Sequence, residues 1–537
     1  MVRKPAPTIK EVEAKANEIL KRWDTNKDNS ISLVEFKSFV TKDPDILKLC
    51  INFGITNREE LRPDFGGNSA DVPDCDSDLE EELNHPDVDE KAEKIKMGVE
   101  YKEKDPDQMY DVEEIDEGDQ FMAVKPWVGT VKNSVPTTYQ KKKGESDAPE
   151  ANLELEYVHG YRCHDARNNL KYAPNGSAVY HTAAVGVVLD PKTNTQKFFI
   201  EHTDDITCLD MCGDLVATGQ VGAKPLVCVW NYATRETKVI LQGDLQKSIA
   251  QVCFSNNGKK LAAIANDDDH TVGIFDLEKL MNPNYDKRKA KTDGAIIIGK
   301  GPKAGVLDAK FDVDDKVLIL SCVKEVNFVS FDGGVVKCTK GTGWGKNPLQ
   351  AVLCIGFIDQ TIVTGTFNGS LFVWKGKTLS QVIPAHTGAV NAIWSRKSPK
   401  GIITGGNDGL IHIWDHNIKK IQTIDIKTPN IGSLNPKVRS LCDNGKGNFL
   451  VGTRGGEIVE FVNNQPKVLM RGHFDDELWG LVVHPKKNEY ITCGEDQLLA
   501  SWDIATRRQT RVILHLNNFT VKSSSIRALN SIIEQKY

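Results

Sequence analysis

At 537 residues the chain is too long for one ordinary domain, and 39% hydrophobic and 26% charged residues with 43 glycines describe globular, turn-rich modules. No apolar run approaches the roughly 20 residues that cross a bilayer, and the N-terminus lacks the apolar stretch of a secretory signal, so the cytoplasm is the expected compartment and a membrane is not an expected partner. The formal charge of −6 hides an asymmetry: residues 71–120 hold 21 acidic against 5 basic side chains, which leaves about +9 for residues 121–537 and an attraction to acidic partners.

The first segment places Ile9, Val12, Ala16, Ile19 and Leu20 on one helical face. It runs into DTNKDNSISLVE at 24–35, which has the twelve-residue pattern of an EF-hand calcium loop. A hard cation needs oxygens at alternate positions. Asp24, Asn26 and Asp28 supply the first three, Ser30 its backbone carbonyl, Ser32 the ninth position and Glu35 the bidentate carboxylate. Asn29 stands where glycine is usual, and asparagine is the next most tolerant of a left-handed turn. An exit helix over 33–40 carries Phe36 and Phe39. The expectation is a small all-α EF-hand module at 1–65 with calcium as its cofactor, against a metal-free helix–loop–helix. DCDSDLEEELNH at 74–85 imitates a second loop but has Glu81 at its apolar position and His85 at its bidentate one. It reads as part of an acidic linker, 66–118, too poor in aliphatics to fold alone.

From 119 the character changes to short apolar runs separated by Gly, Asn and Asp turns, an all-β pattern. Two close copies stand out: AHTGAVNAIWSRKSPKGIITGGNDGLIHIWD at 385–415 and GHFDDELWGLVVHPKKNEYITCGEDQLLASWD at 472–503. Both contain His (386, 473), Thr (404, 492), Asp (408, 496) and Trp (414, 502), with the same spacing from Thr to Asp to Trp. Such a set can form a hydrogen-bonded chain from the indole through Thr and His to the Asp of a tight turn, so His386, Thr404, Asp408, Trp414, His473, Thr492, Asp496 and Trp502 are expected to be structural rather than catalytic. Weaker copies at 201–230, 253–276, 311–332, 354–374 and 441–461, with a strand-like segment at 179–199, bring the total to about eight units. The fold class is therefore mainly β: a WD-repeat β-propeller of seven or eight blades over 173–511, closed into one ring, followed by a tail at 512–537. Twelve singly scattered cysteines form no disulfide framework, and Cys208 and Cys212 lack the further pair that zinc requires.

DQFMAVKPWVGTV at 119–131, LELEYVHGYRCHDARNNLKY at 153–172 and QKFFIEHTDDI at 196–206 resemble the echinoderm microtubule-associated protein-like family. The resemblance is specific at VKPW, HGYR and RNNL, and it marks 119–172 as the family's hydrophobic motif and propeller junction. It implies a tandem pair of atypical propellers that contact tubulin, although here the repeats account for one propeller and an EF-hand occupies the place of the family's trimerising coiled coil. The implied function is that of a calcium-responsive, non-enzymatic microtubule adaptor of the cytoplasmic cytoskeleton or ciliary axoneme. Tubulin is the expected partner, with other cytoskeletal or axonemal proteins as further candidates. Lys141, Lys142 and Lys143 are candidate tubulin contacts, or else a solvated loop. A general WD-repeat scaffold is the alternative. No phosphate-binding, zinc-protease or serine-nucleophile motif points to an enzyme, and no basic helix, aromatic stacking motif or zinc-finger spacing points to nucleic acid.

Overall fold

The computed structural model describes residues 151–514 apart from 286–293, 332–333, 475–477, 495 and 497. The EF-hand loop, the acidic linker, the VKPW motif and Lys141 to Lys143 lie outside the described residues.

Eight four-stranded antiparallel sheets follow one another along the chain, each a simple meander. They are blade 1 (171–199), blade 2 (206–241), blade 3 (249–299), blade 4 (306–340), blade 5 (352–384), blade 6 (390–425), blade 7 (438–470) and blade 8 (478–514). A four-residue helix, Leu277–Leu280, is the one α-helix among the described residues. Blade 1 starts at Lys171 and the last strand, Arg508–Leu514, runs into the segment that the sequence reading assigns to the tail.

Burial along each blade explains why these sequences read as strands. The second and third strands, such as Val317–Cys322 and Leu410–Asp415, are almost continuously buried because neighbouring blades cover both faces. Fourth strands alternate or are exposed, as in Thr195–Phe199 and Lys420–Asp425, because they form the rim. Blades 2 to 8 share one further feature, a register shift near the start of the first strand, for example between Val390 and Ala392 and between Leu478 and Gly480. The extra residue re-aims the strand as it enters the centre.

Ring closure uses seven blades. The first strands of blades 2 to 7 lie side by side in chain order, and the first strand of blade 7, Val438–Asp443, lies beside that of blade 1, which in turn neighbours blade 2. A shared core confirms the closure: Leu170, Tyr180 and Leu189 of blade 1 and its approach pack with Cys442, Leu450 and Met470 of blade 7. Among the described residues, the first strand of blade 8, Leu478–Val483, has no such neighbour in that sequence. Eight sheets with seven in the ring fall within the expected seven or eight blades.

Candidate functional site

The paired repeats build the same network in blades 6 and 8. In blade 6, Trp414 Nε1 donates to Thr404 Oγ1 at 2.9 Å, His386 Nε2 lies 2.9 Å from the same hydroxyl, and His386 Nδ1 lies 2.9 Å from Asp408 Oδ1. In blade 8 the corresponding distances are 2.7 Å for Trp502 to Thr492, 2.9 Å for His473 to Thr492 and 2.8 Å for His473 to Asp496 Oδ2. Blade 2 substitutes a glutamine: His202 lies 2.7 Å from Thr218 Oγ1 and 2.8 Å from Gln220 Oε1, while Trp230 Nε1 donates to Thr218 at 3.2 Å. Blade 5 retains only Trp374 donating to Thr364 at 3.1 Å. In blades 2, 6 and 8 the network ties the loop that enters the blade to its second and third strands, so the buried indole and imidazole donors are paired.

Carboxylates on first strands link neighbouring blades. Asp210 of blade 2 accepts from the Phe254 amide of blade 3 at 3.0 Å, and Asp308 of blade 4 accepts from the Ile355 amide of blade 5 at 2.8 Å. Lys171 Nζ is 3.2 Å and Lys310 Nζ 3.9 Å from Asp210 Oδ1. Burial opposes ionisation of Asp210, but Lys310 and Lys171 outweigh it and hold the carboxyl below its ordinary range. Burial dominates at Asp308 and raises it. A cavity of about 300 Å³ opens beside Lys171, Trp394 and Asp443.

The segment 156–170 has no counterpart in the repeats and acts as a strap across blades 8, 7 and 1. His159 lies against the Trp502 ring, with centroids 4.2 Å apart, and shares a 2.6 Å hydrogen bond with the Tyr490 hydroxyl of blade 8. Burial, helped by nearby His473, pushes its pKa down to about 4. Gly160 has a φ of +83°, its amide donates to the Arg471 carbonyl, and a Cβ on Gly472 would lie 2.4 Å from its Cα. Two backbones cross there at a distance only paired glycines permit. The Tyr161 hydroxyl donates to the Thr453 carbonyl at 2.8 Å in blade 7. Arg162 reaches Asp165 and, at 3.0 Å, Asp205 on the approach to blade 2. Asn169 donates to the Arg162 carbonyl at 2.7 Å and accepts from Ser440 of blade 7 at 2.8 Å, and the fully buried Arg439 donates to the His164 carbonyl at 3.2 Å. HGYR and RNNL thus close the ring.

This strap coincides with a HELP motif matched at residues 148–187, and the family model described as echinoderm microtubule-associated protein first beta-propeller matches residues 195–461. The chain belongs to the echinoderm microtubule-associated protein-like family. Over 417 residues it is 33% identical to the ciliary WD repeat-containing protein ctxp80 of Euplotoides octocarinatus, covering 73% of this chain and 54% of that one. It is 30% identical over 408 residues to echinoderm microtubule-associated protein-like 2 of Mus musculus (72% and 60%), and 29% identical over 386 residues to echinoderm microtubule-associated protein-like 1 of the same organism (68% and 45%). The chain spans about half the length of the curated relatives it matches. The family's propeller model ends within blade 7, the last blade of the ring.

In this family member the HGYR and RNNL residues were legible as a signature without their role, which depends on contacts almost 300 positions away. Tyr490, Asp205 and Gly472, their partners, carry no such signal except Gly472, whose Gly-His pair mirrors His159-Gly160. His386, Asp408 and His412 bring three potential metal-ligand atoms within 4.8 Å. Both His386 nitrogens are committed to Asp408 and Thr404, and His412 Nδ1 lies 3.0 Å from the Thr423 hydroxyl, so an ion there would have to displace the blade network.

Proposed function

We infer that this chain is a microtubule-associated adaptor that binds the tubulin polymer through its propeller, in the cytoplasmic cytoskeleton or a ciliary axoneme. The reading rests on one observation above all: the family's HELP strap is joined to, and locks, the family's first propeller. Two relatives that align with about 70% of this chain are named microtubule-associated, and a third is named ciliary. The balance of about +9 over residues 121–537 agrees with attraction to an acidic polymer. Among the described residues the buried His, Asp and Thr groups of the networks bond to one another, which suits a binding module rather than a catalyst. No described helix is long and apolar enough to cross a membrane.

Co-sedimentation of the full chain with microtubules tests the reading. The expected result is pelleting at low salt that weakens as ionic strength passes roughly 0.1 M, where charges are screened within about 10 Å. A chain that stays in the supernatant at low salt would leave only a general WD-repeat scaffold. Calcium control is the finer part of the proposal, with Asp24, Asn26, Asp28, Ser30, Ser32 and Glu35 as ligands. Calcium should perturb Trp23, next to the first ligand, with an affinity on the order of 10⁻⁵ M or weaker, and Glu35→Gln should abolish the response. A flat titration into the millimolar range would remove calcium from the proposal and leave tubulin binding in place.

A further inference from the structure

Where blade 8 stands off the ring, its last strand borders a cleft against blade 7. Two adjoining cavities of about 100 and about 230 Å³ form it, both lined by Arg471 and Gln509. Arg507 and Arg508 line one and Arg511 the other, so four arginines line the groove. Two have local carboxylates: Arg471 lies 3.6 Å from Glu457, and Arg507 pairs with Glu156. Arg508 and Arg511 are exposed and have no ion pair among the described residues. The strand that carries them, Arg508–Leu514, pairs on one side only, with Leu498–Asp503, so the described sheet ends there. An unpaired strand edge beside free arginines suits an extended peptide rich in carboxylates, which can pair with the backbone and accept from the guanidinium groups together.

We propose that this cleft binds an acidic extended segment and that its occupant is the chain's own residues 74–83. That stretch, DCDSDLEEEL, holds six carboxylates and no basic residue. The tether favours it, because Tyr157 and His159 line the cleft and the preceding chain therefore starts at the site. At no more than about 3.3–3.6 Å per residue, the chain from residue 83 to residue 157 is long enough to bring that segment back to the cleft. Such a tether presents its segment at an effective concentration of about millimolar, above that of most free competitors.

The test uses full chains and a fluorescein-labelled synthetic peptide of residues 72–85, followed by anisotropy. A chain with Asp74→Asn, Asp76→Asn, Asp78→Asn, Glu80→Gln, Glu81→Gln and Glu82→Gln has its own segment neutralised. It should bind the peptide at least tenfold tighter than the unaltered chain, and adding Arg508→Glu with Arg511→Glu should remove that binding. Arg508→Lys with Arg511→Lys should retain part of it, and amides of 508–514 should exchange faster in the neutralised chain. Equal peptide affinity in the neutralised and unaltered chains would overturn the intramolecular assignment; if arginine reversal still abolished binding, the cleft would serve an acidic surface on another molecule. Undiminished binding after arginine reversal would overturn the site itself. No microtubules enter the assay, so its failure is separate from failure of the tubulin reading.

Discussion

Blades 6 and 8 have the same hydrogen-bonded network and different surroundings. Counting back from the network threonine, Val390 and Ile393 of blade 6 correspond to Leu478 and Leu481 of blade 8, since Ile393 faces Thr404 and Leu481 faces Thr492 across the first two strands. Val390 and Ile393 are 0% and 5% exposed, whereas Leu478 and Leu481 are 52% and 62% exposed. The repeat motif therefore specifies a blade but not its neighbours. Those are decided by the strap, whose His159, Tyr161, Arg162 and Asn169 join blades 8, 7 and 1 without belonging to any repeat.

The sharpest way to break this comparison is to remove the two tryptophans in turn. Trp414→Ala should lower the stability of the main unfolding transition by about 3–5 kcal/mol, through lost burial and the loss of the indole's hydrogen bond to Thr404, which keeps His386 as its partner. Trp502→Ala should cost the ring transition less than about 1 kcal/mol and instead bring forward a smaller pre-transition, read by circular dichroism in denaturant. Equal shifts in one cooperative transition would place blade 8 in the ring.

Next in size is the truncation of the matched pair. Ile393→Ala should cost about 2–4 kcal/mol, while Leu481→Ala should stay within about 0.5 kcal/mol because its side chain is mostly in water. Similar costs would mean that Leu481 is covered.

Acid should separate the two regions as well. Burial pushes the His181 pKa down to about 3 and that of His202 to about 4, both in the ring, and holds His159, at the blade 8 seam, at about 4. These folded values lie below the unfolded 6.5, so the unfolded chain binds more protons from about 6.5 down to about 4 for His202 and His159 and about 3 for His181. Stability is complete above the unfolded value and is lost as pH falls through those windows, by up to about 5 kcal/mol for the fully buried His181. Asp408 is held at about 2: burial opposes this, but its bonds to His386 and nearby amides prevail. Its contribution is present above about 4 and lost below. In His159→Phe, the seam should lose its sensitivity between pH 6.5 and 4, measured by the pre-transition midpoint, while the ring retains its own.

The smallest expected effect is at the network hydroxyls. Thr404→Val should cost about 1–2 kcal/mol in the ring because Trp414 and His386 lose a shared partner, and Thr492→Val should move only the pre-transition. Identical effects on the main transition would again contradict the distinction.

Much of the fold was legible because blade residues act locally: Thr404, Asp408 and Trp414 lie within one hairpin, and their spacing repeats. Gln220 escaped notice because a longer amide replaces the carboxylate from a different position. Ring membership was not legible, since both matched repeats have apolar first strands and only the three-dimensional course of 156–170 determines which is covered. The arginine cleft was equally hidden, because Arg471 and Arg511 come from different blades.

Native-state hydrogen exchange of the full chain tests the seven-plus-one arrangement most directly. Amides of Ala178–Thr182 in blade 1, Phe449–Thr453 in blade 7 and Lys400–Gly406 in blade 6 should exchange through one shared global opening, while those of Glu489–Gly494 in blade 8 exchange through an earlier and smaller one. Protection of 489–494 equal to that of 400–406, or blade 1 opening together with blade 8 ahead of blade 7, would contradict it.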